Sequence, residues 1–88
     1  MTDQTVRFQP TPNPNSMKFI LNKRVIPTGM RQYQGKEEAE GEPVVQKLFS
    51  IEGVEGVFLM DNFVSVNKKS SGNWGVIVPK VIEILKEL

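Results

Sequence analysis

Lysine beside serine is the pairing in this sequence with the best claim to reactivity: Lys68 and Lys69 run directly into Ser70 and Ser71. A lysine that has lost its proton can take one from a serine hydroxyl and so make a nucleophile. That chemistry needs the two side chains within hydrogen-bond reach in space, which adjacency in the chain does not provide. Ser16 and Ser65 lack even a neighbouring lysine of that kind. The usual partner of a catalytic serine is missing altogether, because the 88 residues contain no histidine. They contain no cysteine either, which removes disulfides and thiolate ligation of zinc or of an iron–sulfur cluster by this chain acting alone. No metal site and no cofactor is therefore expected.

The remaining reactive types read as structure. Glu37, Glu38, Glu40 and Glu42 form a cluster whose simplest role is solvation and the support of a following helix. "GVEGV", residues 53–57, has the glycine spacing of part of a phosphate loop, but no lysine follows and it leads into a strand. Tyr33 and Trp74, single representatives of their types, read as packing residues. An enzyme or small-molecule site built from Lys, Glu and Tyr33 stays as the alternative reading, and a concave pocket with converging titratable groups would be its signature. A flat apolar patch with a polar rim would instead mark a protein-binding surface.

Composition narrows the class further. Apolar residues at 39% and charged residues at 24% are ordinary for a globular protein, so one folded domain over residues 1–88 is expected. No apolar run approaches a membrane span, and "MTDQTVRFQP" lacks the basic and apolar regions of a signal peptide, so a cytoplasmic location with no membrane contact is the expectation. The net charge is +1, and with the four clustered glutamates set aside the remaining six acidic residues face 11 basic ones. No basic stripe interleaved with aromatics accompanies that excess, so nucleic acid is not an expected partner.

The elements that must position these residues follow from periodicity. Val6 and Phe8 alternate with Arg7, and Met17, Phe19 and Leu21 alternate with Lys18, Ile20 and Asn22, the period of two that makes strands. "RVIPTGMRQYQG" holds at most a short edge strand around Met30 to Gln34, made irregular by Pro27 and Gly29. "KEEAEGE" reads as loop. Pro43 opens a helix whose apolar face is Val45, Leu48 and Phe49, with Gly53 expected to stop it in the left-handed conformation. "VEGVFLM" and "FVSVN" flank Asp61 and Asn62 as a hairpin. A last helix from about Trp74 to Leu88 carries Ile77, Val81, Ile84, Leu85 and Leu88 at helical spacing, with Pro79 near its first turns.

The resulting order, ββ(β)αββα, predicts an α+β fold: two layers, a largely antiparallel sheet of four to five strands with two helices on one face. By parity, Val6, Phe8, Met17, Phe19, Leu21, Val57, Leu59, Val64 and Val66 face the helices. Ile20, Phe58, Met60 and Phe63 then fall on the opposite face. Segment 25–42 is expected to roof that face in part, with Met30 and Tyr33 inside, and the exposed remainder to serve as a contact surface.

At this point "TPNPNSMKF", "LFSIEGVEGVFL", "FVSVNK" and a tryptophan with a proline five residues later become recognisable together. In this order they resemble the N-terminal domain of Nfu/NifU-type iron–sulfur scaffold proteins, over nearly the whole chain. The resemblance implies an α+β module that is commonly followed by a second domain whose Cys-X-X-Cys pair holds the cluster. It implies for this chain an accessory or adaptor role in iron–sulfur cluster assembly or delivery. Its partners would be proteins, either assembly components or recipients, and it would not ligate the cluster itself.

Candidate partner-binding residues are Pro12, Asn13, Pro14 and Asn15 in the loop before the second strand, with Phe58, Met60 and Phe63 on the open face. Two prolines restrict the loop, and asparagine side chains can fold onto nearby backbone groups, so it should be ordered before any partner arrives. A purely structural role, setting the entry of strand two against strand one, competes with recognition.

Overall fold

The structure, a computed structural model, describes residues 6–26 and 28–87. Its elements are β1 (Val6–Pro10), β2 (Ser16–Leu21), β3 (Met30–Tyr33), α1 (Pro43–Phe49), β4 (Val54–Met60), β5 (Phe63–Lys68) and α2 (Trp74–Leu85). The five strands form one open sheet in the order β1-β2-β5-β4-β3, with every pairing antiparallel. This is the expected α+β fold, and the irregular stretch before the glutamates does supply a fifth strand, at the edge. The expectations placed on Pro27 and Leu88 lie outside the described residues.

One layer of side chains joins helices to sheet. Phe19, Val57, Val64 and Val66 from the strands meet Val45 and Leu48 of α1 and Ile77, Val81 and Leu85 of α2, all at most 2% exposed. Because the strand residues in this core share one parity, both helices lie on one face. In α2, Ile77, Val81 and Leu85 recur at four-residue intervals and Val78 joins them, while Ile84 packs only at the margin. Asn73 caps this helix, its side-chain oxygen accepting from Gly75 N at 2.8 Å. Pro43 occupies the first turn of α1, where the missing N–H costs nothing.

Four expectations need correction. Phe8 faces the helix side but is 50% exposed, because two helices do not reach over the edge strand β1. Gly53 has the expected positive φ, 101°, yet α1 has already ended at Phe49 with Ser50 as its cap. Gly53 instead sits third in a turn closed by Val54 N donating to Ile51 O at 3.2 Å. The "KEEAEGE" stretch is not all loop: Lys36–Ala39 forms one 3-10 turn that buries Ala39 completely.

The fourth correction concerns the roof. Residues Met30–Tyr33 do not lie across the far face; they pair edge-on with β4. Tyr33 stands opposite Val57 and is buried in the helix-side core, while Met30 is 55% exposed. A strand segment with an unpaired neighbour at its side gains more by completing a hydrogen-bond ladder than by laying unsatisfied backbone over side chains.

Gly53→Ala tests the turn. A Cβ there would demand a conformation unfavourable for L residues and would stand 3.2 Å from Ile77 Cδ1. Urea unfolding should show a loss of roughly 1 to 2 kcal/mol, with an unchanged m value.

Candidate functional site

The strand register sets the open face out in rows. One row runs straight across the sheet as Arg7, Ile20, Phe63, Met60 and Met30, each opposite the next. The row beside it reads Gln9, Lys18, Ser65, Phe58 and Gln32. Beyond that come Ser16, Asn67 and Gly56. The face is therefore divided along its strands: apolar at the end near the β4–β5 turn, polar at the end near the β1–β2 loop.

At the apolar end Phe58 and Phe63 approach to 6.1 Å between ring centroids, tilted by 37°. The Lys18 ammonium lies 4.3 Å above the Phe63 ring, an attraction between cation and ring quadrupole that also holds the aliphatic stem against the sheet. Ile20, Phe58 and Phe63 are part-exposed, and Met60 at 38% and Met30 at 55% extend the patch to the β3 edge. The hairpin turn beneath is rigidly set: Asp61 takes a φ of 51°, and segment 21–25 binds it through Leu21 N to Asn62 O, 2.8 Å, and Val25 N to Asp61 O, 2.7 Å.

The "TPNPNS" loop is at the other end of β2. Within it, Asn13 Oδ1 accepts from Asn15 N at 2.9 Å, and Ser16 N donates to Asn13 O at 3.0 Å. Thr11 Oγ1 accepts from Asn13 N at 3.1 Å and donates to backbone oxygens of the loop. Two residues far along the chain then clasp it. Lys68 Nζ donates to Asn15 Oδ1 at 3.0 Å and to Lys69 O at 3.3 Å, while Lys68 N donates to Asn15 O at 2.8 Å. Trp74 Nε1 donates to Pro14 O at 2.9 Å, and its ring lies 5.9 Å from the same ammonium.

Lys68 is only 8% exposed, and no ion pair to it is found among the described residues. The loop's oxygens therefore take the place a carboxylate would have. Five residues of strand, roughly 16 Å at about 3.3 Å each, separate Asn15 from Ile20. The structure thus brings Phe58, Met60 and Phe63 together and leaves Pro12, Asn13, Pro14 and Asn15 apart from them. Met30, which joins the patch, was not legible as a member, because the register of a four-residue edge strand has no signal in its own sequence. Lys68 and Trp74 likewise gave no local sign of meeting the loop.

The reactive pairings do not assemble a catalytic group. Lys68 is committed to the loop, whereas Ser71 and Lys69 share a shallow hollow of about 310 Å³ with Glu52 and Lys80, without a hydrogen bond between them. Tyr33 borders another hollow, of about 340 Å³, with Glu55 and Asn67, and its hydroxyl is buried without a hydrogen bond. A wider hollow, about 720 Å³, is an open groove between Phe8 and Val78, Pro79 and Ile82 of α2. The chain has neither cysteine nor histidine, so its donors do not fit an iron–sulfur cluster, which is held by thiolate or imidazole ligands.

Comparison with known proteins agrees with this architecture. Residues 6–88 match the family described as "Scaffold protein Nfu/NifU N terminal". The chain is 34% identical over 83 residues to the NFU1 iron-sulfur cluster scaffold homolog, mitochondrial, of Drosophila virilis, covering 93% of this chain and 28% of that protein. It is 33% identical over 76 residues to NifU-like protein 4, mitochondrial, of Arabidopsis thaliana, covering 86% of this chain and 27% of the relative. The chain thus spans less than a third of the curated relatives it matches. Among solved structures, protein SAV1430 of Staphylococcus aureus superposes with a TM-score of 0.80 at 25% identity, over 96% of this chain and 99% of that one. A NifU-like protein of Saccharomyces cerevisiae superposes at 0.86 over 97% of this chain and 77% of that one, and at 23% identity this is a likeness of fold.

The clasp generates a quantitative prediction. Asn15→Ala strips a buried ammonium of a partner and should cost about 1.5 to 3 kcal/mol, the range for hydrogen bonds to charged groups. In a Lys68→Met background, where no ammonium needs a partner, the same change should cost markedly less. A double-mutant cycle by urea unfolding reads the difference; equal costs in both backgrounds would show that Lys68 and Asn15 are not coupled.

Proposed function

The chain belongs to the Nfu/NifU N-terminal family, and from that premise we propose that it is an accessory or adaptor domain in iron–sulfur cluster assembly or delivery. It binds proteins of that process and does not ligate the cluster, which passes as cargo between other groups. It does no catalysis. The cytosol is the proposed setting, although the curated relatives are named as mitochondrial proteins, and cell fractionation decides between the two.

The single observation that supports this reading best is the open face. Phe58, Phe63, Met60 and Met30 form a continuous apolar surface on a sheet whose two helices are both on the other side. A domain of this size has no stability reason to leave two aromatic rings at the water boundary, and such patches mark contact surfaces. Binding energy concentrates in buried aromatic anchors, which Phe58 and Phe63 can supply on docking. The loop has a complementary role: held by Lys68 and Trp74, it fixes β2 against β5 and keeps the face flat and preformed.

Two measurements test the proposal. Phe63→Ala should cost well under the 3 to 5 kcal/mol, roughly, of a fully buried aromatic, because one side of the ring already meets solvent. The same variant should lose the assembly or recipient proteins that the wild-type chain captures from native cytosol. Undiminished capture would sink the open face as the contact. Separately, anaerobic reconstitution with iron and sulfide should leave no stoichiometric iron on the chain after desalting, given its lack of cysteine and histidine. A stable brown monomer would overturn the non-ligand role.

A further inference from the structure

The charges in the two adjacent rows that hold the apolar residues are of one sign. Their positions carry Arg7 and Lys18 and no carboxylate, while Glu55 borders the face further along β4, beside Gln32 and Asn67. Neither cation is in an ion pair among the described residues, in contrast to Arg24 with Asp61, Arg31 with Glu42 and Lys47 with Glu87. Both stand at one end of the apolar row: Arg7 is its first member, opposite Ile20, and Lys18 is two residues before Ile20 on the same strand. The other end, at Met60 and Met30, carries no charge. A chain with a net charge of only +1 has therefore placed an uncompensated positive border on one side of its apolar surface.

The geometry points to an amphipathic helix of a partner protein, acidic at one end, as the occupant of this face; the inference rests on the open face being the contact. Sheet faces are ordinarily covered by helices, which bury an apolar stripe against the sheet. The row from Arg7 to Met30 crosses all five strands. At about 4.8 Å per strand it is about 19 Å long. A helix of about 13 residues, rising about 1.5 Å each, spans that length. Its apolar stripe rests on Ile20, Phe63, Met60 and Met30, and its carboxylates, in the turn above β1 and β2, meet Arg7 and Lys18.

Lys18 would then stand between a ring face and a carboxylate, with its charge better balanced than in the free chain. The arrangement sets direction as well as affinity, since a helix laid the other way puts its carboxylates over methionines. A second copy of this chain offers no carboxylate in these two rows to meet the cations, which disfavours face-to-face pairing.

Selection of a displayed library of random 16-residue peptides on the immobilised chain tests the inference, followed by nuclear magnetic resonance mapping of one enriched peptide. The expected result is enrichment of sequences with apolar residues at three- and four-residue spacing and Asp or Glu gathered at one end. The mapped peptide should perturb Ile20, Phe63, Met60 and Met30, and its affinity should fall at least tenfold in Arg7→Glu/Lys18→Glu and with rising salt. The milder Arg7→Gln/Lys18→Gln pair should lie between, which guards against misfolding of the reversed variant. Peptides that bind this face without acidic enrichment, or whose binding ignores both variants, overturn the charge inference and leave the contact face standing. Peptides that map elsewhere, or none at all, overturn both. A dimer in light scattering that Phe63→Ala dissociates makes a second copy the occupant and also overturns the inference.

Discussion

Two helices can cover one face of a five-stranded sheet, and not both. Everything distinctive about this molecule follows from how it lives with that constraint. On the covered side the strands present Phe19, Val57, Val64 and Val66 to two short helices, and these residues are essentially inaccessible. On the uncovered side the chain has sorted its residues by row: polar groups fill the end near the β1–β2 loop, and apolar groups the end near the β4–β5 turn. Even the covered side has an uncovered margin, where Phe8 on the edge strand lines a groove beside α2.

The clasp around Lys68 shows how a small domain ties its sheet together without disulfides. The ammonium is buried, which is costly unless its donors are met, and it is met by oxygens of Asn15 and Lys69. The same loop offers Pro14 O to Trp74 at the start of α2, so the loop is tied at one point to the end of β5 and the start of α2, both distant from it in the chain. The prolines and asparagines restrict the loop before folding, which lowers the entropy lost in forming this junction.

Membership in the Nfu/NifU family places the chain among proteins named for iron–sulfur scaffolding, while its residues include neither cysteine nor histidine, the usual ligands of a cluster. These two facts are compatible when the domain acts on the proteins of the process and not on the metal. The relatives are more than three times as long as the segment that matches them, so the aligned part is one portion of a larger division of labour.

Alternation and helical spacing, read locally, were sufficient to determine the α+β class, both helices, the hairpin at Asp61 and Asn62 and the parity that separates Ile20, Phe58, Met60 and Phe63 from the core. The absence of cysteine and histidine determined which chemistry the chain cannot perform alone. Those properties depend on residues near one another in the chain or on composition. Three others depend on contacts between distant segments, and only the tertiary structure decided them. Met30–Tyr33 became an edge strand because β4 had backbone groups left to pair, which turned Tyr33 into the core and left the far face open. Gly53 became a turn residue because α1 ended early against β4. The row from Arg7 to Met30 exists only in the register of five strands, where side chains as far apart in the chain as Arg7 and Phe63 come to lie in one line.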